Sequence, residues 1–115
     1  MILAPENMEI VGEGGAEGGR AKLELRKLLP AAVMPSNLGL YARATLIPGA
    51  GVDYHVHTGE SETYYILSGR GEYNDNGTIK PVSAGDVTFT ADGEGHGLRN
   101  TGSEDLVFIA LIVRN

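Results

Sequence analysis

In the stretch LGLYARATLI, Leu38, Leu40, Ala42, Ala44 and Leu46 alternate with Gly39, Tyr41, Arg43, Thr45 and Ile47. A period of two sends successive side chains to opposite faces of an extended backbone, so this stretch predicts a strand with one apolar face. The same short rhythm recurs along the chain. AKLELRKLL places Leu23, Leu25 and Leu29 on one face, interrupted by Lys27. The run Tyr64, Tyr65, Ile66, Leu67 is aromatic and β-branched and stops at Gly69, as a buried strand does. LVFIALIV near the C-terminus is apolar throughout and too short for a lone helix, which predicts a strand buried on both faces. Between these runs Pro48-Gly49, Ser68-Gly69, Asn76-Gly77, Ala84-Gly85 and Thr101-Gly102 mark turns. Asn-Gly supplies the positive φ of a tight hairpin, folding Glu72 to Lys80 back on itself around Asn76 and Gly77. Short strands separated by glycine-rich turns predict an all-β sandwich or barrel with little helix. Solenoids and propellers drop out, because no repeat of about 20 to 50 residues is present.

With 115 residues the chain is read as one domain, 1–115, able to bury roughly two thirds of the surface its unfolded form exposes. Nine basic against fifteen acidic side chains give a net charge of −6, the wrong sign for phosphate backbones or anionic lipid. Neither nucleic acid nor a membrane surface is expected as a partner. The sequence has no cysteine, so disulfides, thiolate metal ligands and a cysteine nucleophile are excluded and any metal must be held by nitrogen and oxygen. MILAPENMEIV lacks the basic and apolar segments of a signal peptide, and no apolar run approaches the roughly 20 residues of a membrane span. A cytoplasmic location is expected.

Two stretches break the strand rhythm. GEGGAEGG, residues 12–19, holds five glycines. A phosphate-cradling loop needs a strand before it and a helix after it, whereas Arg20 to Leu29 read as a strand. A surface loop is the expectation. LPAAVMP, Leu29 to Pro35, is a second irregular connector bounded by prolines. Either connector is placed to cover the mouth of a site.

The chemistry concentrates in YHVHTGESETYY. His55 and His57 lie two apart, so on a strand both rings leave one face and reach a single ion. TGES reads as a turn, and a second strand starting near Glu62 would return beside the first and bring its carboxylate to that face. Glu60 is a rival donor but falls inside the predicted turn, so Glu62 is preferred. His96, the third and last histidine, lies in the glycine-bounded segment GEGHGLRN. Three imidazoles and one carboxylate suit a divalent iron, manganese, zinc, nickel, cobalt or copper ion, and residue identity alone does not choose among them.

From Gly49 to Gly69 the chain reads GAGVDYHVHTGESETYYILSG and fits G(x)5HxH(x)4E(x)6G at every defined position. From Gly85 to Asn100 it reads GDVTFTADGEGHGLRN and fits G(x)5PxG(x)2H(x)3N, with Ala91 in place of the proline. These are the two motifs of the cupin superfamily, and the chain resembles its small single-domain members. That resemblance implies an antiparallel jelly-roll β-barrel of six to eight strands. It also implies one metal held inside by His55, His57, Glu62 and His96, and a homodimer paired through its sheets.

The residues add a picture of the interior. Ala42 and Ala44 present little side chain to the barrel axis and leave room beside the metal, with Phe108, Ala110 and Leu98 as candidate pocket walls. Tyr64 shares parity with Glu62 and is a candidate proton donor, or else an aromatic core residue. Tyr41 and Arg43 face the other way, toward the surface or a subunit contact. Four protein ligands around a six-coordinate ion leave two positions for a small polar molecule. The expected function is a metal-dependent enzyme of oxygenase or isomerase type. The alternative is a non-catalytic module that binds or senses a small metabolite. Sugar-phosphate isomerisation is a weaker form of the first, because no Lys or Arg is placed inside the barrel to bind phosphate, and a purely structural metal is a third reading. Fold alone does not decide among them.

Overall fold

The computed structural model describes residues 1–15 and 19–115, so the middle of the glycine-rich stretch lies outside the described residues. The alternating segments become ten strands: β1 (Ile10–Glu13), β2 (Leu23–Lys27), β3 (Leu38–Leu46), β4 (Gly51–Val56), β5 (Glu60–Ser68), β6 (Arg70–Asp75), β7 (Thr78–Ser83), β8 (Val87–Thr90), β9 (Gly95–Asn100) and β10 (Leu106–Arg114). Gly12 and Glu13, assigned from sequence to the surface loop, instead end β1. Two single 3-10 turns, Pro5–Asn7 and Ala31–Val33, are the only helical elements among the described residues, and the second sits inside the proline-bounded connector. No helix is long and apolar enough to cross a membrane among the described residues.

The strands form a six-stranded sheet, β1-β2-β3-β10-β5-β8, facing a four-stranded sheet, β4-β9-β6-β7. Every pairing is antiparallel. Most sequential strands lie in opposite sheets, the crossing pattern of a jelly roll. The strand count exceeds the six to eight implied by resemblance because β1 and β2 extend the larger sheet beyond β3. The β6–β7 hairpin turns at Asn76 (φ 52°) and Gly77 (φ 95°), with Asp75 opposite Thr78, as the Asn-Gly pair demands.

Three expectations are corrected. The strand carrying Glu62 does not return beside the histidine strand: β5 pairs with β10 and β8, whereas β4 pairs with β9. The turn after His57 therefore crosses the sandwich, and Glu62 meets the histidines from the facing sheet. The run from Tyr64 to Leu67 is buried on one side only. Tyr64 and Ile66 are buried, whereas Tyr65 and Leu67 lie on the outer face of the larger sheet. In β10 the inner residues Phe108 and Ala110 are buried, and on the other face Val107 is buried while Ile109, Leu111 and Val113 are half-buried, so the second face is covered only in part.

Leu46, Ile66, Leu98, Leu106 and Phe108 fill the core. Asn100, the last residue of the second motif, closes it from beneath. Its Nδ2 donates to the Leu46 and Glu104 carbonyls at 2.9 and 2.8 Å, and its Oδ1 accepts from Gly102 N–H at 2.9 Å. A buried amide satisfied on both ends locks β9 to β3 and to the β9–β10 turn, where an unpaired one would be costly.

Candidate metal centre

Within the smaller sheet His55 stands directly opposite His96 in the β4–β9 ladder, and His57 follows immediately after β4 ends. The ladder shifts register between Val52 and His55, which aims both histidines inward. Glu62 enters from β5 across the interior. One donor atom from each of His55, His57, Glu62 and His96 lies within 4.8 Å of all the others. The contacts are close: His57 Nε2 lies 3.0 Å from Glu62 Oε1 and 3.0 Å from His96 Nε2. His96 Nε2 is 2.9 Å from Glu62 Oε1 and 3.2 Å from His55 Nε2.

The outer nitrogens explain why such a cluster suits a cation. His55 Nδ1–H donates to the Asp53 carbonyl at 2.8 Å, and His57 Nδ1–H donates to Glu60 Oε1 at 2.9 Å. Because a carbonyl and a carboxylate can only accept, each neutral ring turns an Nε2 lone pair toward the centre. Lone pairs and a carboxylate oxygen crowded together repel unless a positive charge lies among them. The four residues could therefore hold a transition-metal ion.

Each ring is also steered from behind. His96 Nδ1 contacts the Tyr73 hydroxyl at 3.0 Å, and that hydroxyl contacts Thr90 Oγ1 at 2.7 Å. Such outer partners fix the tautomer and orientation of metal-binding imidazoles. Glu60 is neither a rival donor nor a turn residue: it opens β5 and orients His57. Tyr73 was invisible in the motifs, although the Asn-Gly hairpin sets the inward parity of β6 and could have singled it out. Burial is the main reason the Tyr73 and Tyr64 hydroxyls both hold pKa values above the usual tyrosine range, Tyr64 more strongly; the Glu62 carboxylate adds to the effect in both.

His55, His57 and Glu62 line a cavity of about 160 Å³, with His96 buried behind them. Its wall is mostly apolar, built by Leu23 and Leu25 from β2, Leu40 and Ala44 from β3, Val52 from β4, and Phe108, Ala110 and Ile112 from β10. Tyr64 also lines it, stacked on His96 at a centroid distance of 4.9 Å and tilted against Phe108 at 4.7 Å. Of the candidate wall residues, Ala44, Phe108 and Ala110 reach the cavity. Ala42 and Leu98 are buried in the interior but do not line it. Ala42 lies in the cross-strand row Ala42–Ala110–Tyr64, and Leu98 packs opposite Val52 and Tyr73. Sequence reading missed the β2 contribution, because nothing local tells which strand covers a barrel mouth.

A family model of the cupin domain matches residues 42–112, more than half of the chain. The chain is a cupin. An oxalate-binding protein from Thermotoga maritima is 47% identical to it over 96 residues, covering 84% of this chain and 79% of the relative. The crystal structure of a predicted oxalate decarboxylase from Thermotoga maritima superposes with a TM-score of 0.88 at 40% identity over the whole of both chains. An RmlC-like cupin from Shewanella frigidimarina, at 23% identity and a TM-score of 0.79, covers 98% of this chain and 89% of its own and shares the fold.

Proposed function

We propose that this cupin captures a small chelating carboxylate, with oxalate as the leading candidate, through one divalent transition metal held by His55, His57, Glu62 and His96. The observation that carries the reading is the pairing of those donors with a small apolar cavity whose lining includes no Lys or Arg. In such a pocket the metal is the one strong electrophile, and a ligand that takes two cis positions gains most from it. The volume supports a molecule of few atoms: a cavity of about 150 Å³ accepts a benzene-sized guest, whereas drug-sized sites run to roughly 300 Å³ and more. The oxalate-binding relative at 47% identity supports the same ligand class. A sugar phosphate fits less well, because the wall offers its phosphate no cation.

A second reading is catalysis of oxygenase, isomerase or decarboxylase type. Tyr64 favours it, since it lines the cavity beside the donors and its hydroxyl, held protonated by burial, can donate a hydrogen bond to an oxygen of a bound molecule. Calorimetric titration of oxalate into metal-loaded and metal-stripped protein tests the first reading. Binding confined to the loaded protein is expected; equal binding to stripped protein, or none to any loaded form, contradicts it. Turnover of oxalate, or oxygen uptake with a diketone, catechol or thiol, would move the assignment to the second.

We also infer that two copies pair through the outer face of the larger sheet. Val87 and Phe89 there are 63% and 59% exposed, beside Tyr65 and Leu67. Sedimentation should give a dimer that Phe89→Glu dissociates; a monomeric native chain would contradict it.

A further inference from the structure

The turn from Ala91 to Glu94, between β8 and β9, carries the departure from the second motif. A proline there would have a fixed φ and no N–H, whereas Ala91 releases both the torsion and an amide donor. That amide is not left free. Ala91 N–H donates to Glu94 Oε1 at 2.8 Å, and Glu94 N–H donates back to the Ala91 carbonyl at 3.0 Å. The other carboxylate oxygen, Glu94 Oε2, accepts from Asn76 Nδ2 at 3.0 Å. Asn76 then grips the start of β9 twice, its Oδ1 accepting from Gly95 N–H and its own N–H donating to the Gly95 carbonyl, both at 3.0 Å. Gly93 takes a φ of 88° within the turn.

This turn touches both halves of the donor cluster. His57 N–H donates to the Glu94 carbonyl at 3.0 Å, and Gly93 N–H donates to the His57 carbonyl at 2.8 Å. Two residues beyond Glu94 the chain reaches His96. The backbone of one donor is thus hydrogen-bonded to the turn and the other follows it by two residues, and their Nε2 atoms lie 3.0 Å apart.

We propose that Glu94 is a positioning residue that replaces the constraint of the missing proline, and that Asn76 anchors it to the β6–β7 hairpin. Glu94 touches no donor atom of the cluster and acts through His57 and His96. Asn76 thereby has two duties, since it supplies the positive φ of its own hairpin and a clamp on the neighbouring turn. The effect on metal affinity rests on the metal reading above; the ordering of the turn does not.

The test compares the native chain, Glu94→Ala, Ala91→Pro, the double variant and Asn76→Gly at one fixed pH. Co²⁺ affinity is read by chelator competition, and hydrogen exchange at the His57 and Gly93 amides is read in metal-free protein. Glu94→Ala should weaken Co²⁺ by about tenfold, the lower end of what losing an outer partner costs, and should speed exchange at both amides. Adding Ala91→Pro should restore most of both, while Ala91→Pro alone should change little. Asn76→Gly, which the hairpin's positive φ accepts, should give a smaller loss of the same kind and carries the test if Glu94→Ala does not fold. Unchanged exchange, faster exchange with unchanged affinity, or no recovery with proline overturns the proposal. If the native chain binds no Co²⁺, the metal reading falls and with it the positioning role, while the exchange data still decide whether Glu94 orders the turn.

Discussion

The two sheets bring unlike inner faces to one interior. The smaller sheet and the turn that leaves it supply His55, His57, His96 and Tyr73, whose ring nitrogens and hydroxyl all have polar partners. The larger sheet supplies the apolar wall apart from Val52, the donor carboxylate of Glu62, and the Glu60 carboxylate that orients His57. The donor set is therefore assembled only when the sandwich closes, and the apolar face decides what size of molecule can sit beside it. His96 and Glu62 are 0% and 4% exposed. Burial of a carboxylate among lone pairs is costly without a compensating charge. The division of labour makes sense if one face holds a cation and the other shapes its ligand.

The largest effect is expected on the donor side. His96→Ala should lower metal affinity by more than the roughly 10- to 100-fold typical of outer partners, measured by competition with a chelator, and should leave the fold intact by circular dichroism. On the apolar side Phe108→Ala should cost about 3–5 kcal/mol in denaturant unfolding, because it removes a fully buried ring. Retained metal binding in that variant would show that the two faces are separable. Between them, Tyr73→Phe deletes only the hydroxyl behind His96 and should weaken metal binding by about 10- to 100-fold with a far smaller change in stability.

The smallest effect belongs far from both faces. Arg20 and Asp105 pair at 2.7 Å on the surface, and the hydrogen bond from Arg20 holds the Asp105 carboxyl below its ordinary value of 3.8. A depressed carboxylate pKa stabilises the fold above the unfolded value, and that contribution is lost as the pH falls through the folded one. Because the pair is solvent-exposed and screened, Arg20→Ala should leave thermal unfolding at neutral pH unchanged within error and show its slight effect only at low salt.

Much of this was legible in the sequence where the governing physics is local. Alternation placed β3 and the Asn76-Gly77 pair placed the β6–β7 hairpin, whereas Glu62 was marked by the family motif and not by the local turn, which sends its strand to the facing sheet. Strand pairing was not legible, because β4 could as well have paired with its successor as with β9; that choice depends on contacts some forty residues apart. The same blindness hid Glu60, which looked like part of a turn until β5 was seen to begin with it. It also hid Leu23 and Leu25, which reach the cavity only because β2 extends the sheet next to β3.

The central claim is that these four side chains hold one metal ion. Metal analysis of untagged protein purified without chelators, repeated for alanine substitutions at His55, His57, Glu62 and His96, tests it most directly. The predicted result is one transition-metal ion per native chain and a large loss of occupancy in each variant; full occupancy surviving all four substitutions would contradict it.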